Sequence, residues 1–120
     1  MPEPAHNPGC IFCRIASGEV PATIVHQDDK AVAFRDLNPQ SPTHVLVIPR
    51  KHLSSLNEIP QEEGPTIGHI VRVAAQIAQA EGHADSGYRL VANCGPDAGQ
   101  AVDHVHFHLL AGRPLGWPPG

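Results

Sequence analysis

Long apolar runs are missing from this sequence. No stretch approaches the roughly 18 residues that a membrane-spanning helix needs, so no contact with a membrane is expected. Residues 1–9 are polar and proline-rich, without the apolar centre of a signal peptide, and the expected compartment is the cytoplasm. Basic residues are few: eight Lys and Arg stand against twelve Asp and Glu, for a formal net charge of −4. They are spread thinly along the chain, which argues against a nucleic-acid groove. A small anion held by backbone N–H groups and histidines stays compatible with this charge. Only three cysteines occur, Cys10, Cys13 and Cys94, and an odd count in a reducing compartment argues against a disulfide framework. There is no internal repeat and no linker. The 120 residues can bury one core without cross-links, so residues 1–9 read as a flexible tail and 10–120 as a single domain.

The pattern of apolar residues then sets the elements. Cys10 to Ser17 is expected to form a short helix, stopped by Gly18 and Pro21. Thr23 to Gln27 and Ala31 to Asp36 flank Asp28-Asp29-Lys30 and read as a β-hairpin. His44 to Ile48 is nearly all apolar and β-branched, as in a strand buried on both faces. Between Pro65 and Glu81, Ile67, Ile70, Val71, Ala74, Ile77 and Ala78 recur at helical period. Pro65 suits the first turn of that helix and Gly82 its end. Gly87 to Cys94 and His104 to Leu110 read as strands, with Gly95 to Gly99 a tight loop between them. The fold class is α+β: a largely antiparallel five-stranded sheet with one long helix and a short N-terminal helix.

Nine histidines are the compositional oddity. His104, His106 and His108 alternate with Val105, Phe107 and Leu109. On a strand this spacing puts three imidazoles on one face, about 6.8 Å apart. Near neutral pH imidazole serves as nucleophile, acid–base or metal ligand. The loop from Asn93 to Gln100 precedes them, and its glycines permit either an anion-binding nest or a plain turn. Cys10 and Cys13 form a C-x-x-C. No strand precedes it, which disfavours a thioredoxin-like redox role. By itself the pair is compatible with a metal site or with packing, and a tetrahedral zinc would need two more ligands.

Several separated blocks together resemble the histidine triad (HIT) family, in its Hint-like branch. They are Ala33 to Leu37, Pro42 to His52, the Asn93, Gly95, Gly99 and Gln100 approach, the segment His104 to Leu110, and the tail Gly116 to Gly120. The similarity runs from about Cys10 to Gly120. It implies a hydrolase of the purine nucleoside phosphoramidase type, acting on AMP- or GMP-type nucleotides. It implies that His106 is the nucleophile, that His44 orients it or relays a proton, and that His108 and the backbone of Gly99, Gln100 and Ala101 hold the phosphate. Asn93 would bind near phosphate and sugar, and Asp36, next to Leu37, the ribose hydroxyls. Ile11, Phe12, Ile15 and Phe34 would line the base pocket. Zinc-bearing members complete the Cys-x-x-Cys with two histidines, here His52 and His104, giving one structural Zn2+ per chain with Cys10 and Cys13 and no organic cofactor. A homodimer is implied as well, with the tail around Trp117 reaching toward the partner.

Two positions depart from the family pattern. Ala101 stands where Ser or Thr is common, and Cys94 fills a variable position without a role. Ala101 favours an alternative, a nucleotide-binding scaffold or regulatory module with little turnover. A catalytic metal on the histidine triad is disfavoured, because the C-x-x-C offers a better structural site and no acidic base lies close in sequence.

Overall fold

The computed structural model describes residues 6–120. Of the expected tail, residues 1–5 lie outside the described part. Asn7 to Gly9 form a turn, in which the Asn7 carbonyl accepts from the Cys10 amide at 2.9 Å and the Asn7 side chain from the Gly9 amide at 2.9 Å.

Chain order is α1 (Ile11–Ala16), β1 (Ile24–Gln27), β2 (Ala31–Arg35), β3 (Thr43–Pro49), α2 (Gly64–Ala80), β4 (Tyr88–Ala92) and β5 (Phe107–Ala111). Two single 3-10 turns, Leu56–Glu58 and Gln61–Glu63, precede α2 and had no clear signal in the sequence. All ladders are antiparallel, in the order β1-β2-β3-β5-β4. The α+β architecture expected from the sequence is therefore the one observed.

Each face of the sheet has its own core. Ala31, Ala33, Val45, Val47 and Leu109 pack under Ile70, Val73, Ala74, Ile77 and Ala78 of α2. Val32, Phe34, Leu46 and Ile48 alternate with them and pack under Phe12, Cys10 and Cys13. That explains why β3 reads as a continuous apolar run: both faces are covered, and Ala31 to Phe34 of β2 beside it are buried in the same way rather than on one face only. Helix α2 begins with Pro65 in its first turn. It ends in a Schellman turn, with His83 N donating to Ala78 O at 2.8 Å and Gly82 N to Gln79 O at 3.0 Å. Arg35 grips Glu81 with two bonds of 2.9 and 2.6 Å, pinning this end to β2.

Two local readings are corrected. Val71 is 46% exposed, and Val73 takes the buried place; the stripe follows Ile70, Val73–Ala74 and Ile77–Ala78, centred one position away from the one inferred. The last strand begins at Phe107, not His104, because the ladders to Val47 and Ala92 start only there. His104 and His106 precede it in irregular chain, held by Val105 N donating to Leu53 O at 2.7 Å.

Candidate active site

Beyond the start of β5 the alternation of the triad still holds, in what it buries. Val105 and Leu109 are buried, and Phe107 packs toward the α2 core. The three imidazoles gather on the α1 side. Rings of His106 and His108 are 5.1 Å apart, those of His44 and His108 5.2 Å, and Phe12 lies 5.1 Å from His106. Leu46 is opposite His108 in the β3–β5 ladder, so His44, two residues earlier, is its diagonal neighbour on the same face. Sequence spacing alone could not place His44 there, since 64 residues separate the two.

Hydrogen bonds fix the neutral tautomers. The Gln40 amide donates to His44 Nδ1 at 3.0 Å, so His44 carries its proton on Nε2. That Nε2–H donates to His108 Nδ1 at 2.9 Å, which leaves the His108 proton on Nε2. His106 Nδ1–H donates to the His104 carbonyl at 2.7 Å, so its Nε2 keeps the lone pair. One imidazole thus presents an Nε2 lone pair and its neighbour an Nε2–H. Burial holds His108 down to about 4, with His106 and His44 adding to the shift and Asp36 opposing it. Burial also lowers His44, against the pull of the Asp36 carboxylate, whose Oδ2 is 3.5 Å from His44 Nε2. Two groups were not foreseen, the Gln40 amide and Arg113. Arg113 donates to the Gln40 carbonyl through Nε at 3.2 Å and Nη2 at 2.9 Å, bracing the loop whose amide orients His44. An arginine in a Pro-Gly tail gives no sequence signal for such a role.

A cleft of about 310 Å³ meets the imidazoles through Phe12, which lines it and lies against His106. Ile11, Phe12, Ile15, Phe34, Asp36 and Leu37 all line it. These six residues come from α1, β2 and the turn after β2. Leu37 is 99% exposed at its rim. A larger concavity, about 820 Å³, is bordered by Cys10 and Ile11 at the start of α1 and by Cys94, Gln100 and Ala101.

The loop after β4 is more self-contained than expected. Gly95 and Gly99 sit at φ +83° and +76°, the left-handed region that glycine tolerates. Gly99 N donates to Pro96 O and Gln100 N to Gly95 O, each at 3.1 Å, so these two amides close turns. The Gln100 side chain braces the loop, accepting from Gly95 N at 3.1 Å and donating to Ser54 O and Val102 O at 2.8 and 3.0 Å. Asn93 is half-buried just past β4.

Cys10, Cys13, His52 and His104 converge, all buried, with their ligand atoms within 4.8 Å of one another. His104 Nδ1 lies 3.3 Å from Cys10 Sγ and 3.6 Å from Cys13 Sγ, and His52 Nδ1 lies 3.4 Å from Cys13 Sγ. Tetrahedral zinc, with Zn–S near 2.3 Å and Zn–N near 2.0–2.1 Å, places neighbouring ligand atoms about 3.4–3.8 Å apart. The donors therefore fit a metal ion. Supporting bonds fit too: His104 Nε2–H donates to the Pro49 carbonyl at 2.8 Å, directing Nδ1 inward. Amides of Asn7 and Cys13 donate to Cys13 Sγ and Cys10 Sγ, each at 3.4 Å, as suits thiolates. Cys10 is also the N-cap of α1, so one helix start sets both sulfurs.

Comparison with known proteins agrees with this geometry. The family model described as HIT domain matches residues 17–115. The purine nucleoside phosphoramidase of Escherichia coli strain K12 is 48% identical over 106 residues, 88% of this chain and 89% of its own. A HIT family hydrolase from Legionella pneumophila superposes with a TM-score of 0.92 at 48% identity, over 93% of this chain and 100% of that one. A histidine triad protein from Clostridium difficile gives a TM-score of 0.90 at 48% identity, over 92% and 96%. Family model, sequence identity and superposition each span most of the chain, and on them the chain belongs to the HIT domain family and is a hydrolase.

Proposed function

We propose that the protein hydrolyses nucleoside 5′-phosphoramidates, or related purine nucleotides linked through the α-phosphate, by way of a nucleotidyl-histidine on His106. The observation that carries this reading is the bond from His106 Nδ1–H to the His104 carbonyl, which leaves a lone pair on Nε2 at the edge of the His44–His108 pair. The relative at 48% identity named for phosphoramidase activity supports the reaction class.

In the first step His106 Nε2 attacks the α-phosphorus, an N–P bond forms, and the bond to the leaving amine breaks. The amine departs after taking a proton from solvent, which the proton released by water in the second step replaces. Water then attacks phosphorus, the P–Nε2 bond breaks, and the nucleoside monophosphate leaves while water gives up one proton. One difficult displacement becomes two easier ones. His108 Nε2–H is the donor to the phosphoryl oxygens, with His44 and the Gln40 amide fixing its orientation. The Ala101 amide is a further donor, since those of Gly99 and Gln100 are engaged within the loop. The base occupies the cleft lined by Ile11, Phe12, Ile15 and Phe34, Asp36 takes the ribose hydroxyls, and Asn93 lies near phosphate and sugar.

Zinc on Cys10, Cys13, His52 and His104 is structural in this reading, because four protein donors close the coordination. It would supply rigidity at the point where the His104 carbonyl aims His106. The protein works in the cytoplasm as a homodimer. Support for the dimer is the edge position of β4, with Tyr88 exposed, and Trp117 standing 83% exposed.

Acid-quenched wild type incubated with adenosine 5′-phosphoramidate should carry a nucleotide on His106. His106→Ala should lose on the order of 10⁴-fold or more in turnover while still binding nucleotide. Undiminished hydrolysis by the variant would reject the mechanism. Binding without turnover in the wild type would select the scaffold reading that Ala101 favours.

A further inference from the structure

A second group of metal-ligand residues lies on the opposite side of the sheet. His26 Nε2 and His69 Nε2 each stand 2.7 Å from the same oxygen, Asp28 Oδ2. The three ligand atoms lie within 4.8 Å of one another. The side chains are 31%, 35% and 26% exposed, in that order, so water can reach the group. They come from β1, the hairpin turn and α2, three separate pieces of chain.

Local structure sets each residue. In the β1–β2 ladder Ile24 pairs with Phe34 but His26 with Ala33, so a bulge intervenes. Phe34 belongs to the α1-side core and Ala33 to the α2-side core. Without the extra residue His26 would lie opposite Val32 and face α1. The bulge turns it toward α2, a common use of such irregularities. Asp28 is held by its other oxygen: Oδ1 accepts from the amides of Lys30 at 2.8 Å and Ala31 at 2.9 Å. Oδ2 is thereby fixed toward the two imidazoles, as supporting bonds fix metal-binding carboxylates.

We propose that His26, Asp28 and His69 form a second, solvent-open site for a first-row divalent transition metal, with two imidazole nitrogens and one carboxylate oxygen as protein ligands and water completing the coordination. Two nitrogen donors among three select ions such as Zn2+ or Ni2+ over Mg2+ and Ca2+, which prefer oxygen throughout. Bonds near 2.1 Å at right angles place ligand atoms about 3.0 Å apart. Binding opens the observed 2.7 Å spacings slightly, and each neutral imidazole shifts its proton from Nε2, where it bonds Asp28, to Nδ1, which frees the Nε2 lone pair for the metal. Burial acts to raise the Asp28 carboxyl, but bonds from His26, His69, Lys30 and Ala31 outweigh it and hold the group well below the usual carboxylate range. The anion a cation needs is therefore present at neutral pH.

Equilibrium dialysis of the full chain against excess ZnCl2, and separately NiCl2, tests the site. Wild type should retain one more equivalent than either His69→Gln or Asp28→Asn, whatever else the chain binds, and affinity for that equivalent should fall at least about tenfold. Substoichiometric Ni2+ should broaden the imidazole signals of His26 and His69 before those of other surface histidines. Thermal transitions of the variants, recorded alongside, identify any that fail to fold, and His26→Gln then replaces them. Equal retention by wild type and folded variants, or broadening that spares both histidines, would overturn the proposal and leave an ion-paired cluster only. Hydrolysis should be unchanged in these variants, because the cluster lies on the face of the sheet away from His106.

Discussion

His108 is the residue whose environment makes the clearest demand. Its pKa near 4 keeps it neutral, so that Nδ1 accepts from His44 at ordinary pH. An unfolded histidine titrates near 6.5. Between about pH 4 and 6.5 the unfolded chain therefore binds more protons than the folded one, and stability rises with pH. It is fully present above 6.5 and is lost as pH falls through that window. Melting temperature should climb across it in the wild type and less steeply in His108→Gln. Equal slopes would show that His108 is not held neutral by the fold. Ala101 makes a second demand at this scale. The family resemblance puts a hydroxyl here that could serve a leaving amine or a phosphoryl oxygen. One well-placed donor is worth roughly 10²–10³ in rate, and less is expected where His108 remains. Ala101→Ser should raise kcat/KM, more for alkylamine phosphoramidates than for acidic leaving groups. A rate that is unchanged or lower on every substrate would make Ala101 a neutral replacement.

At the scale of elements, α2 separates what periodicity shows from what packing selects. Ile70, Val71 and Ala74 all fit a helical stripe, yet Ile70 is fully buried and Val71 is 46% exposed. A stripe has width, and a sheet covers only its middle. Ile70→Ala should cost about 2–5 kcal/mol through the cavity it leaves. Val71→Ala should stay within about 0.5 kcal/mol, as surface changes do. Denaturant unfolding of both checks the centre of the stripe. Helix α1 is the contrasting case. Six residues are too few for a stable isolated helix, and Cys10 and Cys13 tie it to His52 and His104 instead. If zinc is bound there, the metal carries part of the folding energy. Purified protein should hold about one tightly bound zinc per chain, and Cys13→Ser should lower the melting temperature. Elemental analysis without zinc after metal-replete expression would count against the site.

For the whole molecule, β4 stands at one edge of the sheet. An edge strand presents unpaired N–H and C=O groups that another chain can pair with. Two copies joined along β4 would extend the sheet through a two-fold axis. Light scattering at micromolar concentration should return twice the chain mass, and a clean monomer would contradict the dimer. The cleft and the imidazoles already adjoin within one chain, through α1, β2, β3 and β5.

By itself the sequence determined the elements and the chemistry available to them. Alternation in His104 to Leu109 showed that three imidazoles would part from three apolar residues, because adjacent side chains of extended backbone point opposite ways. The family resemblance singled out Ile11, Phe12, Ile15, Phe34, Asp36 and Leu37, which the structure places around one cleft. Tertiary structure alone decided which partners those groups meet. Tautomers of His44, His106 and His108 follow from the Gln40 amide and the His104 carbonyl, backbone groups that every residue possesses and that no motif marks. Engagement of the Gly99 and Gln100 amides within their own loop is likewise invisible in a glycine pattern. So is the direction of His26, which a one-residue bulge reverses. Local periodicity records which way a side chain leaves its own backbone, whereas contacts across 40 or 60 residues depend on register and loop closure.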